Sequence, residues 1–202
     1  MTANLIALVA ATIVLLLIPG PNVAIIVATS LRDGLRYGLI TAFGTTAGLA
    51  LQLAMVVVGM SALIETAAVA LTWIKWAGVA YLVWLGIRTW NEPADDLSEA
   101  KLASGSVTFW RGFGLAVVNP KTLLFNAAFL PQFVPAGANA SGQLLLVATV
   151  FLAVVVVGDS LWALCAATAR KWLIKYGKIR NRLTGGLLVS SGVGLALTRQ
   201  SL

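Results

Sequence analysis

The apolar run that opens at Leu5 is cut at its middle by Pro19-Gly20-Pro21-Asn22 and resumes from Val23 to Ala28. Lipid offers no partner for a free N–H or C=O, so a membrane span is expected to be one continuous helix. Two prolines and a glycine remove donors and force a local break. Bare backbone at that depth is tolerated only against protein or a water-filled cavity. Pro19, Gly20, Pro21 and Asn22 therefore predict a polar site inside the membrane.

Composition places the whole chain in the bilayer. Of 202 residues, 59% are hydrophobic and 10% are charged. That balance predicts an all-α integral membrane protein with a single membrane domain over residues 1–202. The one cysteine, Cys165, excludes an intrachain disulfide, a thiol-exchange pair and a thiolate cluster. The absence of histidine removes the commonest metal ligand and proton shuttle. No metal and no cofactor are expected. Met1-Thr2-Ala3-Asn4 lacks the basic start of a cleaved signal peptide, so the first apolar segment is expected to be retained. The net charge of +7 does not point to nucleic acid, because the basic residues gather between apolar runs.

Stretches of about 20 apolar residues can cross a bilayer. They predict six transmembrane helices, near 5–30, 39–63, 68–89, 112–134, 144–169 and 183–199. The third contains Lys75 and the fourth contains Asn119-Pro120-Lys121. The polar stretch from Asn91 to Ser106 reads as a solvated linker. Arg32 and Arg36, then Arg88, Lys101 and Arg111, then the cluster from Arg170 to Arg182, fall in alternate loops. Those three loops hold eleven of the fourteen basic residues, whereas Pro135 to Gln143 carries no charge. The bias predicts basic loops in the cytoplasm and both termini outside. The seven tryptophans mostly fall near span ends and read as an interfacial belt.

The spans divide three and three, as repeat one (1–90), linker (91–106) and repeat two (107–202). Span one breaks at Pro19-Gly20-Pro21-Asn22 and span four at Asn119-Pro120-Lys121; span three opens Lys75-xx-Gly78 and span six Arg182-xx-Gly185. An odd number of spans per repeat requires the second to enter the membrane inverted. Inverted repeats with broken helices in matching positions point to the midplane site of a secondary transporter. By inversion Lys75 is expected near the outer start of span three, snorkelling to the interface.

In order along the chain, these motifs resemble the lysine exporter / homoserine–threonine exporter (LysE/RhtB-type) family of bacterial amino-acid efflux proteins. The resemblance rests on Pro19-Gly20-Pro21-Asn22 and the glycine-rich stretch Gly34 to Gly48. It continues with Lys75-xx-Gly78-xx-Tyr81-Leu82-xxx-Gly86, Gly112-Phe113, Asn119-Pro120-Lys121 and Phe129-xx-Gln132-Phe133. It implies six helices in two inverted units in the inner membrane. It also implies export of amino acids from the cytoplasm coupled to proton influx. The scarcity of intramembrane carboxylates favours neutral substrates, of the homoserine, threonine or leucine type.

An amino acid is a zwitterion, so its site must answer both ends. Helices restarted near Asn22 and near Lys121 would offer free N–H groups and positive dipole ends to a carboxylate. Asn22 and Asn119 can cap those restarts or bond the ligand. Lys121 can hold a carboxylate, pair with Asp159 or reach an interface. Asp159 is the one carboxylate well inside a span, and a lone charge at mid-depth costs at least ~2.5–3.5 kcal/mol. It can face the substrate ammonium, carry a proton, or pair structurally with Lys121 or Lys75. The substrate-site set is thus Pro19, Gly20, Pro21, Asn22, Asn119, Pro120, Lys121 and Asp159, with Asp159 also the proton-coupling candidate. Gln52 is expected to bond a neighbouring helix. Gly44, Gly48, Gly185, Gly186, Gly192 and Gly194 mark small faces for close helix packing, and would permit a homodimer.

Other functions fit less well. A cation exporter of this architecture would need clustered carboxylates, His or Cys. A thiol-redox protein would need paired cysteines. An intramembrane enzyme would need a Ser/His, metal or nucleotide constellation, and none is present. A non-transporting membrane subunit has no reason to place proline breaks in both halves.

Overall fold

The computed structural model describes residues 2–59, 76, 79–80, 83–91, 104–126, 130–134, 140–173 and 177–197. Lys75, Gly78, Tyr81, Leu82, Phe129, most of the linker and residues 135–139 lie outside that set. Every regular element among the described residues is helical. In order these are α1 (Thr2–Leu17), α2 (Pro21–Asp33), α3 (Leu35–Gly59) and α4, described over residues 83–91. Then follow α5 (Gly105–Val117), α6 (Pro120–Leu124), a 3-10 turn (Leu130–Phe133), α7 (Ala140–Leu173) and α8 (Gly177–Leu197).

Helices α3 and α7 each carry a stretch long and apolar enough to cross a membrane. Helices α1 and α2 qualify as one span, bent by 58° at the proline break. The break is narrower than its motif: α2 starts at Pro21, so Pro21 and Asn22 are already helical. Proline is tolerated at a first helical position because its missing N–H had no partner there anyway. Gly34, at φ 89°, ends α2 and separates it from α3. Its left-handed backbone suits glycine alone among common residues.

The later helices outrun the predicted spans. Helix α5 begins at Gly105, where the Ser104 hydroxyl accepts from the Val107 N–H at 3.3 Å. Arg111, Arg170 and Arg182 therefore sit on helices rather than in loops. Basic side chains can continue a helix past the hydrocarbon by reaching their charges to water.

Glycines set the closest contacts. A Cβ on Gly44 of α3 would collide with the Phe109 carbonyl oxygen of α5. One on Gly48 would meet the Phe113 oxygen at 2.6 Å, and one on Gly112 the Thr41 oxygen at 2.7 Å. Helices α3 and α5 thus touch backbone to backbone, as small faces allow in a membrane. Gly86 and Gly185 do the same for α4 and α8. These four small faces are used inside the chain. Leu8, Leu49, Leu130, Val147 and Phe151 form the core between α1, α3 and α7. Outside, Ile6, Leu17, Leu145, Val157 and Leu161 are more than half exposed, an apolar surface of the kind a bilayer covers.

Candidate functional site

A helix that stops inside a protein leaves its last carbonyls to be satisfied by something else. At the end of α1, Lys121 Nζ donates to the Leu15 carbonyl at 2.8 Å and also to the Ile18 carbonyl. Trp162 Nε1 of α7 donates to the Leu16 carbonyl at 3.2 Å. The first break is therefore sealed by side chains from the second half of the chain. A cation at this helix end also suits the negative pole of the α1 dipole.

The end of α5 is treated in the opposite sense. Gln52 Nε2 of α3 donates to the carbonyls of Ala116 and Val117 at 2.8 and 3.1 Å and lies 3.4 Å from that of Asn119. Its Oε1 accepts from Asn126 Nδ2 at 3.0 Å. The Asn119 Oδ1 caps α6 by accepting from the Lys121 N–H at 3.1 Å. The two breaks meet directly, because Asn119 Nδ2 donates to Asn22 Oδ1 at 2.8 Å.

Where they meet lies a cavity of ≈ 30 Å³, bordered by Asn22, Val23, Asn119, Lys121 and Asp159. Leu15, Leu16, Leu49 and Val155 supply its apolar wall. That is room for about two waters and for no amino acid, so the site is closed in this conformation. On the α2 side, the backbone N–H groups of Asn22 and Val23 have no partner among the described residues. Gly20 and Lys121 separate this cavity from a larger hollow of ≈ 220 Å³ against α8.

Asp159 is 1% exposed, and Thr45 Oγ1 lies 3.2 Å from its Oδ2. The same hydroxyl lies 2.8 Å from the Ala42 carbonyl. A hydroxyl has one proton, so the two contacts cannot both be donated by Thr45. Thr45 donates to an ionised Asp159, or it donates to Ala42 and accepts from a protonated one. Both charge states of the carboxyl are accommodated without moving a heavy atom. Asp159 and Lys121 border one cavity but make no ion pair.

The structure gathers the predicted residues from both halves of the chain. Asn22, Asn119, Lys121 and Asp159 share the cavity, and Gly20 lines it. Pro19 and Pro21 border the larger hollow, and Pro120 opens α6. Two details differ from expectation. Asn22 caps no helix: the cap of α2 is Gly20, and Asn22 instead bonds Asn119. Lys121 is engaged by helix-end carbonyls rather than by Asp159. Trp162, grouped with the span-end tryptophans by sequence, gives its N–H to the first break. Thr45 and Asn126 join the site without standing among the residues the sequence predicts. Asn126 lies seven residues after Asn119, two helical turns on, and that spacing was the available signal. It is fully buried, with Oδ1 unpartnered.

The family model for the LysE type translocator matches residues 13–199. A homoserine/homoserine lactone efflux protein of Salmonella typhimurium is 31% identical over 187 residues, covering 91% of each chain. A leucine efflux protein of an Enterobacter species is 30% identical, covering 90% of each chain. An uncharacterised membrane protein of Bacillus subtilis is 27% identical, covering 96% of this chain and 99% of that one. No solved structure matches. With the family model spanning nearly all of the sequence, the chain belongs to the LysE type translocator family.

Proposed function

We propose that this membrane protein exports neutral amino acids from the cytoplasm by proton antiport. The observation that carries the reading is the single cavity where the two helix breaks meet, with its unpaired α2 amides, Lys121 and the buried Asp159. The amides and the positive end of α2 suit a carboxylate. Asp159 suits the α-ammonium, or a proton in its place, and the neighbouring Thr45 tolerates either state. Exchange of the two at one carboxylate would couple outward amino-acid movement to inward proton movement. With Asp159 committed to the α-ammonium, the apolar wall of Leu15, Leu16, Leu49 and Val155 suits a neutral side chain. Relatives named for homoserine, leucine and cysteine efflux support that substrate class.

The architecture completing this reading is six spans in two inverted repeats, with basic helix ends in the cytoplasm and both termini outside. The mutual sealing of the breaks supports it. Gln52 from the first half serves the second break, and Trp162 from the second half serves the first.

The test is efflux from proteoliposomes loaded with homoserine, threonine, leucine, cysteine or lysine, with and without an acidic exterior. The expected result is release of neutral amino acids, accelerated by the gradient. Release of none would overturn the assignment, and a gradient-independent rate would remove the coupling. For topology, in a Cys165→Ala background, Gly137→Cys should react with an impermeant maleimide outside intact cells and Lys178→Cys should not.

A further inference from the structure

A second polar recess lies between α2, α4, α5 and α8, at the end of the bundle where α2 stops and α5 and α8 start. Its volume is ≈ 60 Å³, room for about four waters, so like the central cavity it has to widen before it holds an amino acid. Thr89, Thr108 and Thr184, from three different helices, converge on it and are each more than nine-tenths buried. Thr108 gives its proton to the Ser104 carbonyl at 3.2 Å, which leaves its lone pairs free. Arg32, Asp33 and Arg111 line the same recess. Arg32 Nε stands 3.6 Å from Asp33 Oδ1. Valine would fill the threonine positions at equal size without burying a hydroxyl, so packing alone does not explain them.

Asp33 and Asp159 are the only carboxylates among the described residues. Each shares a recess with a cation and has buried threonine nearby: Asp159 borders its cavity with Lys121 and contacts Thr45, and Asp33 shares its recess with Arg111 and the threonine trio. Between the two stations lies an apolar layer of Ile25, Ala28, Leu115 and Leu188. Helix α8 runs past all of it. Thr184 and Leu188 face the recess, while Leu187, Ser191 and Gly194 face the ≈ 220 Å³ hollow that adjoins the central cavity. From Thr184 to Gly194 is ~15 Å of helix, about half a hydrocarbon thickness.

We infer that this recess is an admission site for zwitterionic amino acids, with Asp33 receiving the α-ammonium and Arg111 the carboxylate. The Leu188 layer is the seal the substrate then parts to reach the central cavity. The inference rests on the export reading given above, which makes this end of the bundle the cytoplasmic one. Arg32 acts as a positioning residue, holding Asp33 toward the recess.

The test uses Thr184→Cys in the full-length Cys165→Ala protein, in inside-out vesicles, with maleimide labelling of the new thiol. L-leucine and L-homoserine should slow labelling in a saturable way. Leucinol, which lacks the carboxylate, should need about tenfold more, the worth of a lost charge-assisted hydrogen bond. Protection should persist when Asp159→Asn is added, because the recess does not use Asp159. Separately, Asp33→Asn should raise KM for the cytoplasmic amino acid about tenfold while maximal efflux falls less than about twofold. If Thr184→Cys does not export, Thr108→Cys takes its place. Protection lost with Asp159→Asn, or no protection with an unmoved KM in Asp33→Asn, overturns the inference while wild-type export stands. Absence of any wild-type export instead overturns the export reading itself.

Discussion

Replacing Gln52 with leucine tests whether the second break is held open by a buried side chain. Gln52 is fully buried and bonds the Ala116 and Val117 carbonyls through Nε2 and Asn126 through Oε1. Leucine fits the volume but leaves two carbonyls and the Asn126 amide without those partners. A buried group stripped of its partner costs about 1–3 kcal/mol. Hydrogen bonds inside membranes measure less, about 0.6 kcal/mol on average, because the unfolded state also finds partners. Three lost bonds at intermediate worth give a predicted destabilisation of about 2–4 kcal/mol. The assay is reversible unfolding in mixed detergent micelles, following tryptophan fluorescence. Adding Asn126→Leu should cost little more, since its partner is already gone, giving a coupling energy of about 1–2 kcal/mol. A Gln52→Leu loss below ~0.5 kcal/mol, or simple additivity in the double variant, would refute the bonding scheme.

Other outcomes follow from the same geometry. Gly44→Val drives a side chain into the Phe109 carbonyl and should cost about 3 kcal/mol or more, whereas Gly114→Val meets open space and should be near neutral; melting in detergent checks both. Lys121→Met uncovers the Leu15 and Ile18 carbonyls and should lower stability by about 1–3 kcal/mol and abolish export, measured by melting and vesicle efflux. Asp159→Asn keeps an acceptor for Thr45 but has neither a charge nor a titratable proton. It should fold normally and lose at least about tenfold in export, and normal efflux would exclude both proposed roles of the carboxyl.

The proline breaks were legible because their residue types have no other use inside a lipid-facing helix. Asp159 and Lys121 stood out for the same kind of reason: a charge among apolar residues is costly unless it has a place to go. Pairwise contacts were another matter. Nothing local in the sequence tells whether Lys121 turns to Asp159 or to the α1 carbonyls. That depends on how α6 is set against α1, more than a hundred residues away. Trp162 reads as an interfacial tryptophan, and only the fold shows its N–H meeting the end of α1. Thr45 sits among small residues whose obvious role is close packing, and its contact with Asp159 joins positions 114 residues apart. Hydropathy sets the helix ends short because it follows the hydrocarbon, while Ser104 and the basic residues carry helices beyond it.

The account depends on Asn22 and Asn119 joining the two breaks at the point the amino acid must pass. The direct measurement is thiol bridging of Asn22→Cys with Asn119→Cys in a Cys165→Ala background, using a short bifunctional methanethiosulfonate, followed by efflux before and after reduction. The 2.8 Å contact between the native side chains predicts efficient bridging, export blocked by the bridge, and recovery on reduction. Failure to bridge, or full export through the bridged protein, would contradict it.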